Sequence, residues 1–360
     1  MRELCVLLLC LSWHPVWGVA SGGCGGELPP LPRPGHHERR TLLVSDPHQG
    51  QVTREFFLHL PAQYDESNTV AVPLVLDYHW WGGSASSQVS SYPWPDIADQ
   101  DSSGFIYVAL QGMADVAGQG WQGSWNVSRT DGPDGLTCDP DNFQHSGTCY
   151  TSCGDCHYLD SSCDWTSCHD DVAFTETLLY QVLDTYCVDL SHVHMSGISN
   201  GGMFVYTRAL HSLSARLAAV GGVAASPLRG FDFMPASPVS VLDIHGLDDT
   251  VIPYDTDQPG NLGPGPDNTV INTDGYYYTV KMSYLTHLLA AMDCGPDSSH
   301  YPTHVDGQDG WNCVRWGDCR GGAEVVHCSG HWGHQYPFQA QAPAFQIMWD
   351  FFKTHPNNGI

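Results

Sequence analysis

Residues 193–203 read Val-His-Met-Ser-Gly-Ile-Ser-Asn-Gly-Gly-Met, and this stretch decides the fold class. It places a Gly-x-Ser-x-Gly pattern around Ser199, directly after a strand-like run and before a helix-like one. Such a strand–turn–helix lifts the serine hydroxyl clear of a sheet, and its small neighbours let the strand and the helix pack closely. The helix that follows directs its first amides at developing negative charge. The stretch therefore predicts a nucleophilic serine at position 199.

The rest of the chain alternates between short apolar runs and helical patterns. The runs 73–76 (Pro-Leu-Val-Leu) and 239–242 (Val-Ser-Val-Leu) are typical of parallel strands buried on both faces. Strands are predicted at 56–60, 73–79, 105–110, 193–198, 218–224 and 239–245, with further candidates at 313–316 and 324–328. Helices are predicted at 170–186, 202–211, 277–292 and 342–353. The alternation predicts an α/β fold with a mainly parallel central sheet and helices on both faces.

Composition excludes several classes of protein. Of the 360 residues 42% are hydrophobic, so intrinsic disorder is excluded as the overall class. The 39 Asp+Glu outnumber the 13 Lys+Arg, and the formal net charge of −26 argues against nucleic acid or an anionic membrane as a partner. No apolar run is long enough to span a bilayer. These features predict a soluble globular protein.

The first 20 residues have the features of a secretory signal peptide. Arg2 precedes a short apolar stretch at 5–13, and Gly-Val-Ala at 18–20 supplies small residues for cleavage. Residues 21–40 are predicted to be a flexible N-terminal segment, and residues 41–360 a single domain. Cleavage would remove two of the 14 cysteines, and the even dozen left predicts disulfides. We therefore expect a secreted, extracellular protein.

A cysteine-rich insertion is predicted at about residues 113–169, where Gly, Asp and Cys replace the regular apolar patterns. Seven cysteines lie between positions 138 and 187. A stretch this long without regular elements is usually functional, and disulfides would supply the order that it cannot gain from a core of its own. Their connectivity does not follow from the sequence.

The chain order also supplies partners for the serine, which is a weak nucleophile without a base that a third group orients. In this kind of fold the order is Ser, then Asp or Glu, then His. The loop after the predicted strand ending at 245 offers Asp248 and Asp249. The loop after the last predicted strand offers His331 and His334. The order is satisfied, with two candidates for each position.

These residues resemble the secreted esterase and polyhydroxybutyrate-depolymerase family of α/β-hydrolases, which includes feruloyl and acetyl-xylan esterases. The resemblance covers about residues 56–352 and is most specific in Asp-Asp-Val-Ala-Phe at 170–174, followed by the 197–203 stretch. Trp125-Asn126 is similar to the family's Trp-Asn motif. Gly-His-Gln-Tyr-Pro at 333–337 is similar to its Gly-His-x-Trp-Pro ending. The resemblance implies an α/β-hydrolase fold, with the cysteine-rich, disulfide-bonded segment as an insertion.

The resemblance also implies roles for individual residues. Ser199 would be the nucleophile, His334 the base and Asp249 the orienting acid, because the family's spacing favours Asp249 over Asp248 and His334 over His331. Trp125, Asn126 and Trp332 are expected to bind substrate. Asn126 also begins a glycosylation sequon, Asn-Val-Ser.

The chain departs from the family at the turn expected to stabilise the oxyanion. The family has His-Gly-x-x-Gly there, whereas this chain has His79-Trp80-Trp81-Gly-Gly. A backbone N–H does not depend on the side chain, so Trp80 or Trp81 would still donate if the turn avoids positive φ. The other expected donor is the N–H of Asn200.

Zinc is the alternative use of two segments. One contains Cys153-Gly-Asp-Cys156 near His157 and His169, and the other joins His327 to the two candidate bases. The exported context favours disulfides in the first, and catalysis explains the second better. We predict no metal and no organic cofactor.

The predicted function is two-step acyl transfer from an ester. The predicted substrate is a feruloyl or acetyl ester on a neutral polysaccharide. Tryptophans beside the predicted loops suit a planar hydroxycinnamoyl group or a sugar ring, and the alternative is that they pack beneath the loops. Polyhydroxybutyrate is the alternative substrate. A catalytically inactive, hydrolase-like binding protein is the alternative of another class, supported by Trp80 and by the insertion. The oligomeric state does not follow from the sequence.

Overall fold

A computed structural model describes residues 19–30, 32–47, 49–115, 123–127, 150–153, 166–257, 261–338 and 343–357. Within these ranges the strands are β1 (His36–Asp46), β2 (Gly50–Leu60), β3 (Val72–Tyr78), β4 (Ile106–Leu110), β5 (Val188–Ile198), β6 (Ala219–Val223), β7 (Ser240–Gly246), β8 (Gly263–Pro264), β9 (Thr269–Ile271), β10 (Tyr277–Thr279), β11 (Ser298–His300), β12 (Asn312–Trp316) and β13 (Val325–Gly330). The α-helices are α1 (Ala85–Ser91), α2 (Trp94–Gln100), α3 (Asp171–Thr185), α4 (Asn200–Phe204), α5 (Leu210–Leu213), α6 (Lys281–Ala291) and α7 (Pro343–Thr354).

Ten of these strands form one sheet in the order β1-β2-β4-β3-β5-β6-β7-β13-β12-β11. The six strands from β4 to β13 in that order run parallel to their neighbours. The two outer strands at each side pair antiparallel. The prediction of an α/β fold with a mainly parallel central sheet is therefore confirmed.

Helices cover both faces of the sheet, as predicted. Successive side chains of a strand point to opposite faces, and β3 shows this directly. Leu74 and Leu76 pack into an apolar cluster with Phe174 of α3. Val75 packs into a second cluster with Trp94 of α2 and Trp349 of α7. Burial on both faces explains why the central strands read as near-continuous apolar runs.

The N-terminal segment differs from its prediction as a flexible stretch over residues 21–40. Residues 36–40 belong to β1, which pairs along its whole length with β2. Cys24 forms a disulfide with Cys187, and Val188 N donates to Ser21 Oγ at 3.0 Å. These bonds hold the segment against the start of β5. Residues 1–18, on which the signal-peptide prediction rests, lie outside the described part of the chain.

Two predicted helices have different bounds in the structure. The helix predicted at 277–292 begins at Lys281, because Tyr277–Thr279 forms β10 and pairs with β9. The helix predicted at 202–211 is α4 followed by a π-helical segment, Val205–Ala209, and then α5. None of the described helices has the length and apolar character needed to cross a membrane.

The cysteine-rich insertion is described only in part. Its described residues contain the disulfide Cys153–Cys168, and three further disulfides are Cys24–Cys187, Cys294–Cys319 and Cys313–Cys328. The cysteines at 138, 149, 156 and 163, like His157, lie outside the described residues. Because Cys153 is bonded to Cys168, it is not a free thiolate for the zinc site considered as an alternative.

Candidate active site

Ser199 occupies the tight turn between β5 and α4 and has φ +56° and ψ −123°. A non-glycine residue with positive φ is strained, and such strain persists only where the surroundings impose it. A Cβ on Gly201 would lie 2.2 Å from Tyr78 O, and one on Gly197 would lie 2.6 Å from the carbonyl carbon of Gly201. Glycine at 201 lets the turn approach β3, and glycine at 197 lets β5 approach α4, as the sequence pattern predicts.

His334 and Asp249 complete a hydrogen-bonded series with Ser199. His334 Nε2 lies 2.8 Å from Ser199 Oγ, and His334 Nδ1 lies 2.8 Å from Asp249 Oδ2. The structure thus brings together the residues that the sequence proposed for the three roles. The competing residues lie apart from Ser199 in an exposed pair, with His331 Nδ1 3.5 Å from Asp248 Oδ2.

Asp249 is held as a buried carboxylate. Its Oδ1 accepts from Val251 N and Ile252 N, both at 2.9 Å. Burial alone raises the pKa of Asp249, but hydrogen bonding and charge interaction with His245 and His334 outweigh burial and hold the pKa below its ordinary value. An ionised Asp249 accepts a hydrogen bond from His334 Nδ1–H and leaves Nε2 as the acceptor that faces Ser199.

A second buried carboxylate, Asp243, lies in β7, the strand that leads into the loop carrying Asp249. It is 2.7 Å from Lys281 Nζ, 2.6 Å from Tyr206 Oη and 2.7 Å from His327 Nδ1. Burial raises the pKa of Asp243, but the Lys281 charge and the histidine bond outweigh it and lower the pKa. These partners are far away in the sequence, so the sequence shows the buried carboxylate without showing what satisfies it. His327 is committed to this cluster.

Asp77 of β3 has neutral donors instead. Gln88 Nε2 lies 2.7 Å and Tyr107 Oη 2.9 Å from Asp77 Oδ2, and Ser196 Oγ lies 2.6 Å from Asp77 Oδ1. Burial raises the pKa of Asp77 to about 7, because none of these partners carries a compensating charge. The two buried aspartates therefore differ in how they are stabilised.

The Trp80–Trp81 turn follows β3 and, like Ser199 and His334, lines the cleft. Neither tryptophan has positive φ, which meets the condition set for backbone donation. His79 Nε2 accepts from Gly112 N at 2.9 Å, so the ring proton lies on Nδ1, which donates to Trp80 O at 2.7 Å. Because a trans peptide directs its C=O and N–H oppositely, this bond fixes the direction of the Trp81 N–H.

Burial keeps His79 neutral in this arrangement, since it lowers the pKa of the imidazole to about 4. Trp125 adds a second restraint, because its Nε1 donates to His79 O at 2.9 Å. Trp125 N also donates to Asn200 Oδ1 at 2.9 Å, which ties the turn to the residue after Ser199. The three expected oxyanion donors, Trp80, Trp81 and Asn200, therefore lie on backbone segments that side chains hold in place.

The structure places the three expected substrate-binding residues away from the cleft surface. Trp125 is fully buried, and Asn126 is 1% exposed, with its Nδ2 donating to His169 O at 3.0 Å. The buried amide leaves no room for a glycan on Asn126 in the folded protein. Trp332 stacks on Trp311 with ring centroids 5.0 Å apart and packs over Gly246. These three residues are therefore buried packing residues near the site and do not line the cleft.

The cleft at Ser199 has a volume of about 470 Å³ and aromatic walls. Its lining includes Trp80, Trp81, Tyr92 and Tyr336, beside Ser199 and His334. Tyr92 and Tyr336 were missed by the sequence analysis. Tyr336 stands where the resembling family has Trp in its Gly-His-x-Trp-Pro ending, and that substitution was the available signal. Tyr92 carries no such signal.

Comparison with known proteins relates the chain to esterases. No protein-family model matches it. It is 26% identical to probable feruloyl esterase C of Aspergillus niger over 252 residues, which cover 69% of each chain. Identity and coverage are the same with feruloyl esterase C of Emericella nidulans. Among solved structures, acetyl xylan esterase from Aspergillus awamori gives a TM-score of 0.48 at 13% identity, covering 88% of this chain and 99% of that chain.

The central sheet, the turn at Ser199 and the feruloyl esterase relatives agree on one class of protein. The fold is that of the α/β-hydrolases. The chain is an esterase of this type, that is, a carboxylic ester hydrolase.

Proposed function

We propose that the protein is a serine esterase that forms an acyl-enzyme on Ser199. The observation that carries the proposal is the hydrogen-bonded series from Asp249 through His334 to Ser199, which ends in an aromatic cleft. His334 Nε2 takes the Ser199 proton as Oγ attacks the ester carbonyl, and then gives it to the departing alcohol. Water releases the acyl group by the reverse transfers.

Backbone amides would stabilise the oxyanion of each tetrahedral intermediate. The candidates are the N–H of Asn200 at the start of α4 and an N–H of the Trp80–Trp81 turn. The bond from His79 Nδ1 to Trp80 O supports the Trp81 N–H as the second donor, because it fixes that peptide before substrate arrives. The Trp-for-Gly change thus gives no reason to prefer an inactive binding protein.

The proposed substrates are feruloyl esters of polysaccharides, with acetyl esters as the smaller alternative. Aromatic walls suit a planar hydroxycinnamoyl group, which gains from ring contacts beyond its buried area. The relatives named feruloyl esterase C support the same acyl group. The acidic net charge of −26 disfavours a polyanionic polymer as the alcohol side.

We further propose that the protein is secreted. Four disulfides among the described residues need an oxidising compartment to form and persist. The signal-peptide pattern of the first 20 residues supports the same location. Detection of the disulfide-intact chain in culture medium, beginning near residue 21, is the expected result.

A panel of esters tests the reaction and the substrate together. Purified, disulfide-intact protein and its Ser199→Ala variant are assayed on methyl ferulate, p-nitrophenyl acetate, acetylated xylan and a hydroxybutyrate oligomer. We expect serine-dependent turnover with the highest kcat/KM on methyl ferulate. Preference for the oligomer would replace the substrate proposal with a polyester. Lack of turnover and of fluorophosphonate labelling by folded wild-type protein would reject the serine-esterase proposal.

A further inference from the structure

Tyr150 belongs to the cysteine-rich insertion, yet its hydroxyl reaches the wall of the cleft. Trp81 Nε1 donates to Tyr150 Oη at 2.7 Å. An indole N–H only donates, so the direction of this bond is fixed. Tyr150 is 2% exposed, which shields the bond from competing water. Trp81 itself lines the cleft together with Ser199.

The short turn that carries Tyr150 is fastened to both ends of the insertion. At the start, Ser152 N donates to Asp115 Oδ2 at 2.6 Å. At the end, Cys168 N donates to Ser152 Oγ at 3.0 Å, and Cys168 is disulfide-bonded to Cys153. The position of Tyr150 is thus set by these contacts of the insertion, and the hydrogen bond from Trp81 Nε1 to Tyr150 Oη relates it to the cleft wall.

The anchor at Asp115 is charged. Burial raises the pKa of Asp115, but hydrogen bonding and charge interaction with His169 and bonds from Ser152 outweigh it and lower the pKa to about 2. His169 Nε2 lies 3.4 Å from Asp115 Oδ2, and His169 Nδ1 lies 3.5 Å from Asp46 Oδ2 at the end of β1. These contacts, from Trp81 through Tyr150, Asp115 and His169 to Asp46, therefore connect the cleft wall to the edge of the main sheet.

We propose that Tyr150 is a specificity-determining positioning residue that holds the Trp81 ring as a fixed wall for an aromatic acyl group. The inference rests on the proposed function, since it names the part of the substrate that the wall receives. A ring contact depends on the relative orientation of the two rings, so a fixed indole favours a planar acyl group over a small one. The backbone of the turn is held separately by His79, so Tyr150 acts on the indole ring.

Tyr150→Phe tests this role because it removes only the hydroxyl. Loss of one hydrogen bond of about 1 kcal/mol corresponds to roughly a fivefold effect. We expect the KM for methyl ferulate to rise about fivefold by this conversion, with kcat changed less than about twofold. The ratio of kcat/KM for methyl ferulate to kcat/KM for p-nitrophenyl acetate should fall by the same factor.

A double-mutant cycle with Trp81→Phe shows whether the effect passes through the indole. Phenylalanine has no ring N–H, so Tyr150→Phe should change the substrate ratio little in that background. Tyr64→Phe is the matched control, because its hydroxyl lies 2.8 Å from Cys187 N, away from the cleft. We expect the control to leave the substrate ratio unchanged.

Equal losses on both esters, or additive effects in the cycle, would overturn the proposal. A binding measurement decides it without catalysis: calorimetric titration of ferulate into Ser199→Ala, with and without Tyr150→Phe. The expected result is a Kd about fivefold higher in the double variant. Unchanged or absent ferulate affinity overturns the role of Tyr150. If only wild-type turnover fails, the result counts against the esterase proposal. The ferulate titration then still decides whether Tyr150 positions the Trp81 ring.

Discussion

The two sides of the cleft around Ser199 are held together by different interactions. On one side, Asp249 and His334 occupy loops above the fully buried ion pair of Asp243 and Lys281, whose charged atoms lie 2.7 Å apart. On the other side, the Trp80–Trp81 turn is held by a bond that the neutral ring of His79 donates to Trp80 O and by one that the Tyr150 hydroxyl accepts from Trp81 Nε1. The groups in contact with the Trp80–Trp81 turn are neutral rings, whereas the acid side stands over a pair of buried charges.

This difference follows from where each side comes from in the chain. The charged side is built from the carboxyl ends of neighbouring strands β7 and β13, whose pairing places the two loops together. The neutral side draws its supports from the insertion and from residues after β4. Because the supports are separate, changes at Asp243 or Lys281 should leave the Trp80–Trp81 turn in place, and changes at Tyr150 should leave the contacts of Asp249 and His334 in place.

The largest expected effect is that of Asp249→Asn on turnover. An amide cannot hold His334 with its proton on Nδ1 and does not stabilise the imidazolium, so kcat should fall by about four orders of magnitude. Steady-state hydrolysis of p-nitrophenyl acetate at equal concentrations of folded protein measures the loss.

Asp248→Asn is the matched control for that measurement. It removes an adjacent, exposed carboxylate whose partner is His331. Its kcat should match wild type. A large loss in Asp248→Asn with little change in Asp249→Asn would reverse the assignment of the acid.

The next effect concerns the buried ion pair. Lys281→Met leaves Asp243 without its cation inside the protein, and such an uncompensated charge costs about 3–5 kcal/mol. The free energy of unfolding, measured by urea denaturation with the disulfides intact, should fall by that amount.

Arg229→Met provides the comparison at the surface. Arg229 pairs with Asp267 at 2.6 Å, but Asp267 is largely exposed, and surface pairs contribute about 0–1 kcal/mol. Similar losses in the two variants would mean that the Asp243 cluster contributes no more than a solvated pair.

The smallest of these effects is a pH dependence on the neutral side. His79 binds a proton near pH 4 when folded and near its ordinary pKa of 6.5 when unfolded. Between these values the unfolded state holds more protons, so the free energy of unfolding falls as pH falls. The stability advantage of wild type over His79→Asn should shrink by up to about 3 kcal/mol between pH 7 and 4. A constant difference across that range would show that the pKa of His79 is the same in the folded and unfolded states, so that burial does not hold the ring neutral.

The sequence was sufficient to predict the central sheet and the position of Ser199 in a turn between a strand and a helix. Parallel strands buried on both faces leave an apolar signature, and the order Ser, Asp, His follows from which strand ends carry the loops. Asp249 and His334 could be chosen over their neighbours only through spacing in the resembling family. Their geometry then agrees with that choice.

Other features depended on packing that no local pattern reveals. Trp332 precedes His334 by two residues but faces Trp311 and Gly246, because closeness in sequence does not set the direction of a side chain. β1 was missed because its early residues are polar and follow a Gly/Pro-rich stretch. Its pairing with β2 becomes visible only once the hairpin register is known. The contact of Tyr150 with Trp81 joins positions 69 apart in the chain.

The glycines at the serine turn have a consequence for how this chain can change over evolution. Positions 197, 201 and 202 have main-chain or Cβ atoms of other residues within 3.0 Å of any added methyl. Even a substitution by alanine there must displace backbone, so we expect these three positions to remain glycine. Substitutions of the aromatic residues that line the cleft leave this backbone in place, so new acyl preferences can arise in the walls while the serine turn stays constant.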